Sequence, residues 1–190
     1  MADIILITGG ARSGKSDFAL KRAERLPGRK CFVATSEVFD KEMEARVEKH
    51  RLERDHAVWT TIEEPLLPAQ QIGRNEFQVY LLDCMTLWIS NLMAACEKRG
   101  EICGENEIRA EVTALIEQCR IIDGTVLCVT NEVGLGIVPD NPLARRYRDL
   151  VGRCNAMVAA AADEVVLVSC GLPIFLKKKT EDKGTIDERS

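Results

Sequence analysis

Gly9, Gly14, Lys15 and Ser16 meet the spacing G-x-x-x-x-G-K-[ST] in the stretch Thr8 to Ser16, TGGARSGKS, which follows the apolar run Ile4 to Ile7. Glycines let the backbone fold around an anion with its N–H groups pointing inward. The helix that starts near Lys15 adds the positive end of its dipole. Lys15 is then placed to reach the β- and γ-phosphates of a nucleotide, and the Ser16 hydroxyl to hold Mg²⁺. A strand-to-helix turn that matches by accident would explain the spacing alone. The context favours a phosphate cradle, because Ile4, Ile5, Leu6 and Ile7 read as a buried strand while Phe18, Ala19, Ala23 and Leu26 recur at helical spacing.

Two further residues could join that chemistry. Asp83 ends the apolar strand Phe77 to Asp83, FQVYLLD. An acid there, downstream of a cradle, suits a carboxylate that binds Mg²⁺ directly or through water. His50 is the other: neutral imidazole, with a reference pKa of about 6.5, can attack phosphorus without a separate base. The plainer reading of His50 is an interfacial helix residue satisfied by a backbone or acid partner.

Elements must bring these groups together. Pro27-Gly28 stops the first helix, and Lys30 to Thr35 (KCFVAT) reads as a second strand. Ser36 has the position of an N-cap, with Phe39, Met43 and Val47 repeating every four residues through a charged helix. On that helix His50 falls about 20° from Met43, beside the inward stripe. Asp55 to Ile62 reads as an irregular crossing toward Glu63, Glu64 and Pro65. Met85 to Ala95 and Glu105 to Cys119 read as helices, Thr125 to Thr130 as a strand, Leu143 to Ala162 as a long helix and Glu164 to Ser169 as a strand. Gly171 to Leu176 is expected as an antiparallel or edge strand because of Pro173. The glycines and prolines of NEVGLGIVPDNP mark a long loop after Thr130, of the kind that carries binding groups at the carboxyl ends of strands. Alternating strands and helices predict an α/β fold, with a mainly parallel sheet covered by helices on both faces.

The chain has 190 residues, 46% hydrophobic and 29% charged, which suits one globular domain with a single core. A net charge of −4 argues against a general nucleic-acid or membrane-surface binder. No apolar run approaches the ~20 residues of a membrane span. The N-terminus lacks the basic region and cleavage site of a signal peptide, so a cytoplasmic location is expected. Eight cysteines include no C-x-x-C pair, so no zinc knuckle is spelled out. Cys31, Cys128 and Cys170, in or beside apolar strand runs, are expected as small buried hydrophobes. Cys96 and Cys103, in a polar stretch, are the one place to look for a disulfide. The tail from Lys177 is nearly all polar, so a single domain over 1–176 is expected, with a disordered tail over 177–190.

The blocks TGGARSGKS, ATS (Ala34 to Ser36), EMEARVEKHR (Glu42 to Arg51), HAVWTTIEEP (His56 to Pro65), LLD at Asp83, and VTNEVGLGIVP with LARRYRDLVGRCN together resemble one family. It is the bifunctional adenosylcobinamide kinase / adenosylcobinamide-phosphate guanylyltransferase family of cobalamin biosynthesis, and the resemblance spans about residues 3 to 176. It implies a P-loop NTPase fold of RecA-like type, Mg²⁺, and GTP and ATP as substrates. The implied partners are adenosylcobinamide and its phosphate, and the implied assembly is a homotrimer. In that family a histidine on the second helix is covalently guanylylated, a role that falls on His50. Where the family pattern pairs two histidines, this chain has Lys49-His50, which leaves His50 as the candidate. The guanine nucleotide is held, by motif, by Gly9, Gly10, Ala11, Arg12, Ser13, Gly14, Lys15 and Ser16. Ala34, Thr35, Ser36, Arg51, Leu52, Glu53, Arg54, Glu63 and Asp83 complete the set. Lys15 joins His50 as catalytic, Ser16 and Asp83 are the metal ligands, and Arg12 and Arg54 are phosphate clamps. His56 reads as structural or guanine-adjacent. Two rival functions are a P-loop kinase of another small molecule with His50 inert, and a GTPase switch. Thr130-Asn131-Glu132-Val133 stands where such a switch carries N-K-x-D, which argues against the latter.

Overall fold

The computed structural model describes residues 3–36 and 58–178. Seven strands form one sheet: β1 (Asp3–Gly9), β2 (Lys30–Ala34), β3 (Trp59–Glu63), β4 (Val79–Asp83), β5 (Thr125–Val129), β6 (Glu164–Ser169) and β7 (Leu172–Lys177). The described helices are α1 (Lys15–Glu24), α2 (Pro68–Gly73), α3 (Met85–Lys98), α4 (Glu105–Ile121) and α5 (Pro142–Ala161). The strand order is β3-β2-β4-β5-β1-β6-β7. Neighbours pair in parallel except β6 and β7, which are antiparallel. The expected mainly parallel sheet with an antiparallel edge is therefore the fold.

The run Ile4 to Ile7 is apolar throughout because both faces of β1 are covered. Successive side chains of a strand point to opposite faces. Ile4 and Leu6 accordingly join one core with Trp88, Ile89, Val112, Leu115, Val151 and Val158, while Ile5 and Ile7 join another with Ala19, Ala23 and Trp59. Helix α1 lies against the second core and buries Ala19 and Ala23 completely; α2 to α5 lie against the first. The small side chains at 19 and 23 let α1 sit close over β1, β4, β5 and β6.

Three expectations are corrected. The stretch around Asp55 to Ile62 ends in the regular edge strand β3, paired in register with β2 from Lys30↔Trp59 to Ala34↔Glu63. Its sequence, WTTIE, is half polar because an edge strand is half solvated. Cys170 is exposed rather than buried: with Gly171 it forms the two-residue turn joining β6 to β7, both at positive φ (51° and 78°), as tight hairpins require. Lys177, expected to open the tail, closes β7, and the rest of the tail expectation lies outside the described residues. The helix expected after Ser36, with Phe39, Met43, Val47 and His50, also lies outside them. Cys96 and Cys103 are free, buried thiols.

Candidate active site

Parallel strands deliver their carboxyl ends to one edge, and register decides which residues meet there. One rung of the sheet runs Glu63, Ala34, Asp83, Val129, Ile7. The ends of β3, β2 and β4 thus set Glu63, the Ala34–Ser36 turn and Asp83 side by side, and the cradle leaves β1 two residues beyond Ile7. Because β5 intervenes between β4 and β1, the Asp83 strand and the cradle strand lie two strand spacings apart, about 9.6 Å. That separation accommodates a chain of phosphates.

The cradle is built by close approach. A Cβ on Gly9 would stand 2.4 Å from Val168 O and 2.6 Å from Ser13 Oγ. Gly14, the N-cap of α1, has φ 89° and no side-chain cap. The first-turn N–H groups of Lys15, Ser16 and Asp17 therefore have no carbonyl behind them and are left to an anion. Lys15, itself buried, donates from Nζ to Gly10 O at 3.3 Å, so its ammonium spans the loop. The hydroxyl of Ser13 is buried with no hydrogen-bond partner among the described residues, and it lies against Gly9, 2.6 Å from where a Cβ there would stand. From behind, the Gly171 N–H donates to Ser13 O at 2.9 Å, so the β6–β7 turn buttresses the loop. Arg12, at φ 56°, is exposed on its rim.

The remaining strand ends are fixed by buried polar groups. Thr35 Oγ1 donates to Cys84 O at 2.7 Å and accepts from Cys84 N at 2.9 Å, locking the turn after β2 to the residue after Asp83. Asn91 Nδ2 donates to Thr35 O at 2.7 Å and Pro65 O at 3.1 Å from α3. Burial pushes the Cys84 thiol up, the Asp83 carboxylate adds to this, and Lys15 pulls against it, so both charges act on the residue after β4. Ser16 and Asp83 offer a hydroxyl and a carboxylate, the hard oxygen donors that suit Mg²⁺ alongside phosphate oxygens and water. Among the described residues, no group of three or more His, Cys, Asp and Glu side chains could hold a metal ion.

The loop after β5 was only broadly legible. Its first residues are pinned on every side: Thr130 N donates to Ile7 O, Thr130 Oγ1 to Asn155 Oδ1 at 2.7 Å, and Asn155 Nδ2 to Asn131 O at 3.1 Å. Asn131 Nδ2 donates to Thr86 Oγ1 at 3.1 Å, and Glu132 N to Gly9 O at 3.1 Å. Thr8 Oγ1 donates to Glu132 Oε1 at 2.5 Å. Sequence reasoning assigned no role to Asn91, Asn155 or Glu132; the signal for the two asparagines was a polar residue inside an apolar helical stripe. A cavity of about 460 Å³ opens between α3 and α5, lined by Met93, Glu97, Glu101, Leu143, Arg146 and Tyr147 among others. Tyr147, one of its lining residues, ties α5 to the first turn of α3 by donating from its hydroxyl to Thr86 O at 3.2 Å.

The structure thus gathers residues 9–16, Ala34, Thr35, Ser36, Glu63 and Asp83 at one edge. His50, Arg51, Leu52, Glu53, Arg54 and His56 lie outside the described residues.

The pattern of the family described as cobinamide kinase / cobinamide phosphate guanyltransferase matches residues 5–176. The chain is 42% identical over 188 residues to the bifunctional adenosylcobalamin biosynthesis protein CobU of Escherichia coli K12, covering 92% of this chain and 99% of that one. It is 39% identical over 180 residues to the corresponding protein CobP of Pseudomonas aeruginosa, covering 93% and 98%. Among solved structures, an ATPase of a bacterial type III secretion system superposes with TM-score 0.56 at 11% identity, over 91% of this chain and 56% of that chain. At that identity the likeness concerns the fold alone, a mainly parallel sheet with helices on both faces. With the family pattern matched over nearly the whole sheet, and two relatives near 40% identity along almost their full length, the chain belongs to the cobinamide kinase / cobinamide phosphate guanyltransferase family.

Proposed function

We propose that the chain performs both reactions of its family at the sheet edge described above. In the first, the alcohol of adenosylcobinamide attacks the γ-phosphorus of ATP or GTP. In the second, His50 attacks the α-phosphorus of GTP and expels pyrophosphate; adenosylcobinamide phosphate then takes GMP from His50, giving adenosylcobinamide-GDP. The observation that carries this reading is the register that sets Glu63, Ala34 and Asp83 in one rung beside the cradle. A site for phosphate transfer alone needs the cradle and an acid; the turn and second acid on β2 and β3 add acceptors for the N–H and O–H groups of a guanosine.

Each residue's part follows from its chemistry. The N–H groups of Gly9 to Ser16 hold the phosphates, and Lys15 meets the charge that builds up on the transferred group. Ser16 and Asp83 would hold Mg²⁺, which when bound neutralises phosphate charge. Arg12 on the cradle rim and Arg51 to Arg54 after the nucleophile supply further contacts to the nucleotide. A phosphoramidate at His50 is reactive enough to pass GMP on, which makes two-step covalent transfer sensible.

A homotrimeric assembly is supported by β7, an edge strand whose Leu172, Ile174, Phe175 and Leu176 are all exposed. A cytoplasmic location is supported by eight free cysteines. No described helix is long and apolar enough to cross a membrane.

The decisive test is incubation with GTP labelled at the α-phosphate. Acid-labile GMP bound to the protein is expected, and lost in His50→Ala. No label, or label that survives that substitution, refutes the transferase mechanism.

A further inference from the structure

We propose that Glu132 is the general base of the phosphorylation step, taking the proton from the corrinoid alcohol as its oxygen attacks the γ-phosphorus. The inference rests on the functional reading above and names a residue that reading leaves without a part.

Position comes first. β5 lies between the cradle strand and the Asp83 strand, so the chain leaving it emerges between the two groups that handle the γ-phosphate. Glu132 is the third residue past Val129, where β5 ends. Its N–H is held by Gly9 O at 3.1 Å and one carboxylate oxygen by Thr8 Oγ1 at 2.5 Å, so the acid is anchored to the two residues that open the cradle.

Preorganisation is the second argument. Thr130 and Asn131 are tied to β1, α3 and α5 by the bonds through Ile7, Thr86 and Asn155. A base held this way spends little entropy on finding its geometry. Glu132 is half-buried, and among the described residues its only side-chain partner is a neutral hydroxyl, with no ion pair. Thr8 uses Oε1, which leaves Oε2 to accept a proton.

Chemical need is the third. The two reactions use three nucleophiles: an alcohol, an imidazole and a phosphate. Neutral imidazole attacks through a lone pair, and a phosphate monoester is already anionic, its second pKa being about 6. The alcohol alone must shed a proton. In the step proposed, the hydroxyl proton moves to Glu132 Oε2 and the oxygen–phosphorus bond forms. The bond from the γ-phosphorus to the β,γ-bridging oxygen breaks, and the nucleoside diphosphate leaves. Glu132 afterwards returns the proton to solvent.

The need for a base in one reaction only gives the test. Glu132→Gln keeps an acceptor for Thr8 and cannot take a proton. Two rates are measured on each variant: phosphorylation of adenosylcobinamide by ATP, and GMP transfer from GTP to preformed adenosylcobinamide phosphate. Phosphorylation by Glu132→Gln is expected to fall by about 10²–10⁴-fold, and GMP transfer by less than about tenfold. Glu132→Asp, which keeps a shorter base, recovers part of the loss, and its thermal unfolding checks that the loop survives substitution. An equal fall in both reactions would assign Glu132 to binding or structure and overturn the proposal. So would a fall in phosphorylation of under about tenfold. If the unaltered protein phosphorylates no corrinoid at all, the functional reading itself is refuted, an outcome separate from either.

Discussion

Adding a single methyl group at Gly9 tests the cradle more sharply than removing a charge. A Cβ there would lie 2.4 Å from Val168 O, on the backbone of the neighbouring strand, and 2.6 Å from Ser13 Oγ. Ordinary carbon–oxygen contacts begin near about 3.3 Å, so β1 and β6 would have to part by about 0.9 Å at their last paired rung. Neither side can give cheaply, because Gly9 and Val168 are register partners. Overpacking of this kind costs about 1–3 kcal/mol, which in a domain of this size lowers Tm by about 2–12 °C. The displacement also carries the cradle N–H groups away from phosphate oxygens, so GTP affinity is expected to fall at least about tenfold, the equivalent of about 1.4 kcal/mol. Gly10 is the internal control. A Cβ there meets nothing within 4 Å, and Gly10→Ala is expected to stay within about 0.5 kcal/mol of the parent. Thermal unfolding and calorimetric titration with GTP and Mg²⁺ on both variants decide the matter. Parent-like Tm and affinity in Gly9→Ala, or an equal loss of Tm in Gly10→Ala, would refute the reasoning.

Three other expectations follow from buried groups. Asn155→Ala leaves Thr130 and Asn131 O without their partner and is expected to cost about 1–3 kcal/mol, with phosphorylation falling further than stability predicts; thermal unfolding and the kinase assay read both. Burial pushes the thiols of Cys31, Cys103 and Cys154 up to about 12, and only Cys170 is exposed. A maleimide at pH 8 should therefore label one site rapidly in the native protein and all eight after unfolding, as counted by mass. Burial raises the Glu64 carboxyl, but the N–H groups of Leu67 and Leu66 and the Gln71 amide outweigh it and hold the group below its ordinary 4.5. Its contribution is therefore full above pH 4.5 and lost as pH falls below that value. The stability gap between the parent and Glu64→Gln, measured by urea unfolding, should shrink as pH drops from 6 toward 3.

Much of this was legible because the relevant signals are local. The run Ile4 to Ile7, the glycine spacing after it, and the acid closing Val79 to Asp83 are each read within ten residues. What escaped depends on partners far away in sequence. β3 is a strand because β2 pairs with it; alone, WTTIE carries too little apolar patterning to declare itself. Cys170 looked buried from its apolar neighbours, yet the tight hairpin turns it outward. Glu132 was marked only as a member of a glycine- and proline-rich loop, since its place between cradle and Asp83 exists only once β5 is inserted between β1 and β4. Strand order is set by the packing of whole layers, and no short window of sequence encodes it.

That insertion orders events in time. The cradle motif is synthesised well before the strands that flank it: β1 has no sheet neighbours until β5 and β6 exist, and the loop lacks its buttress until Gly171 reaches Ser13. At typical synthesis rates those last contacts come about 160 residues later, a delay of about 8 to 30 s. A nascent chain therefore carries the motif long before it has the site. On this reading, nucleotide binding is expected only once translation has passed the β6–β7 turn, and only the finished sheet would gain the stabilisation that a bound ligand confers.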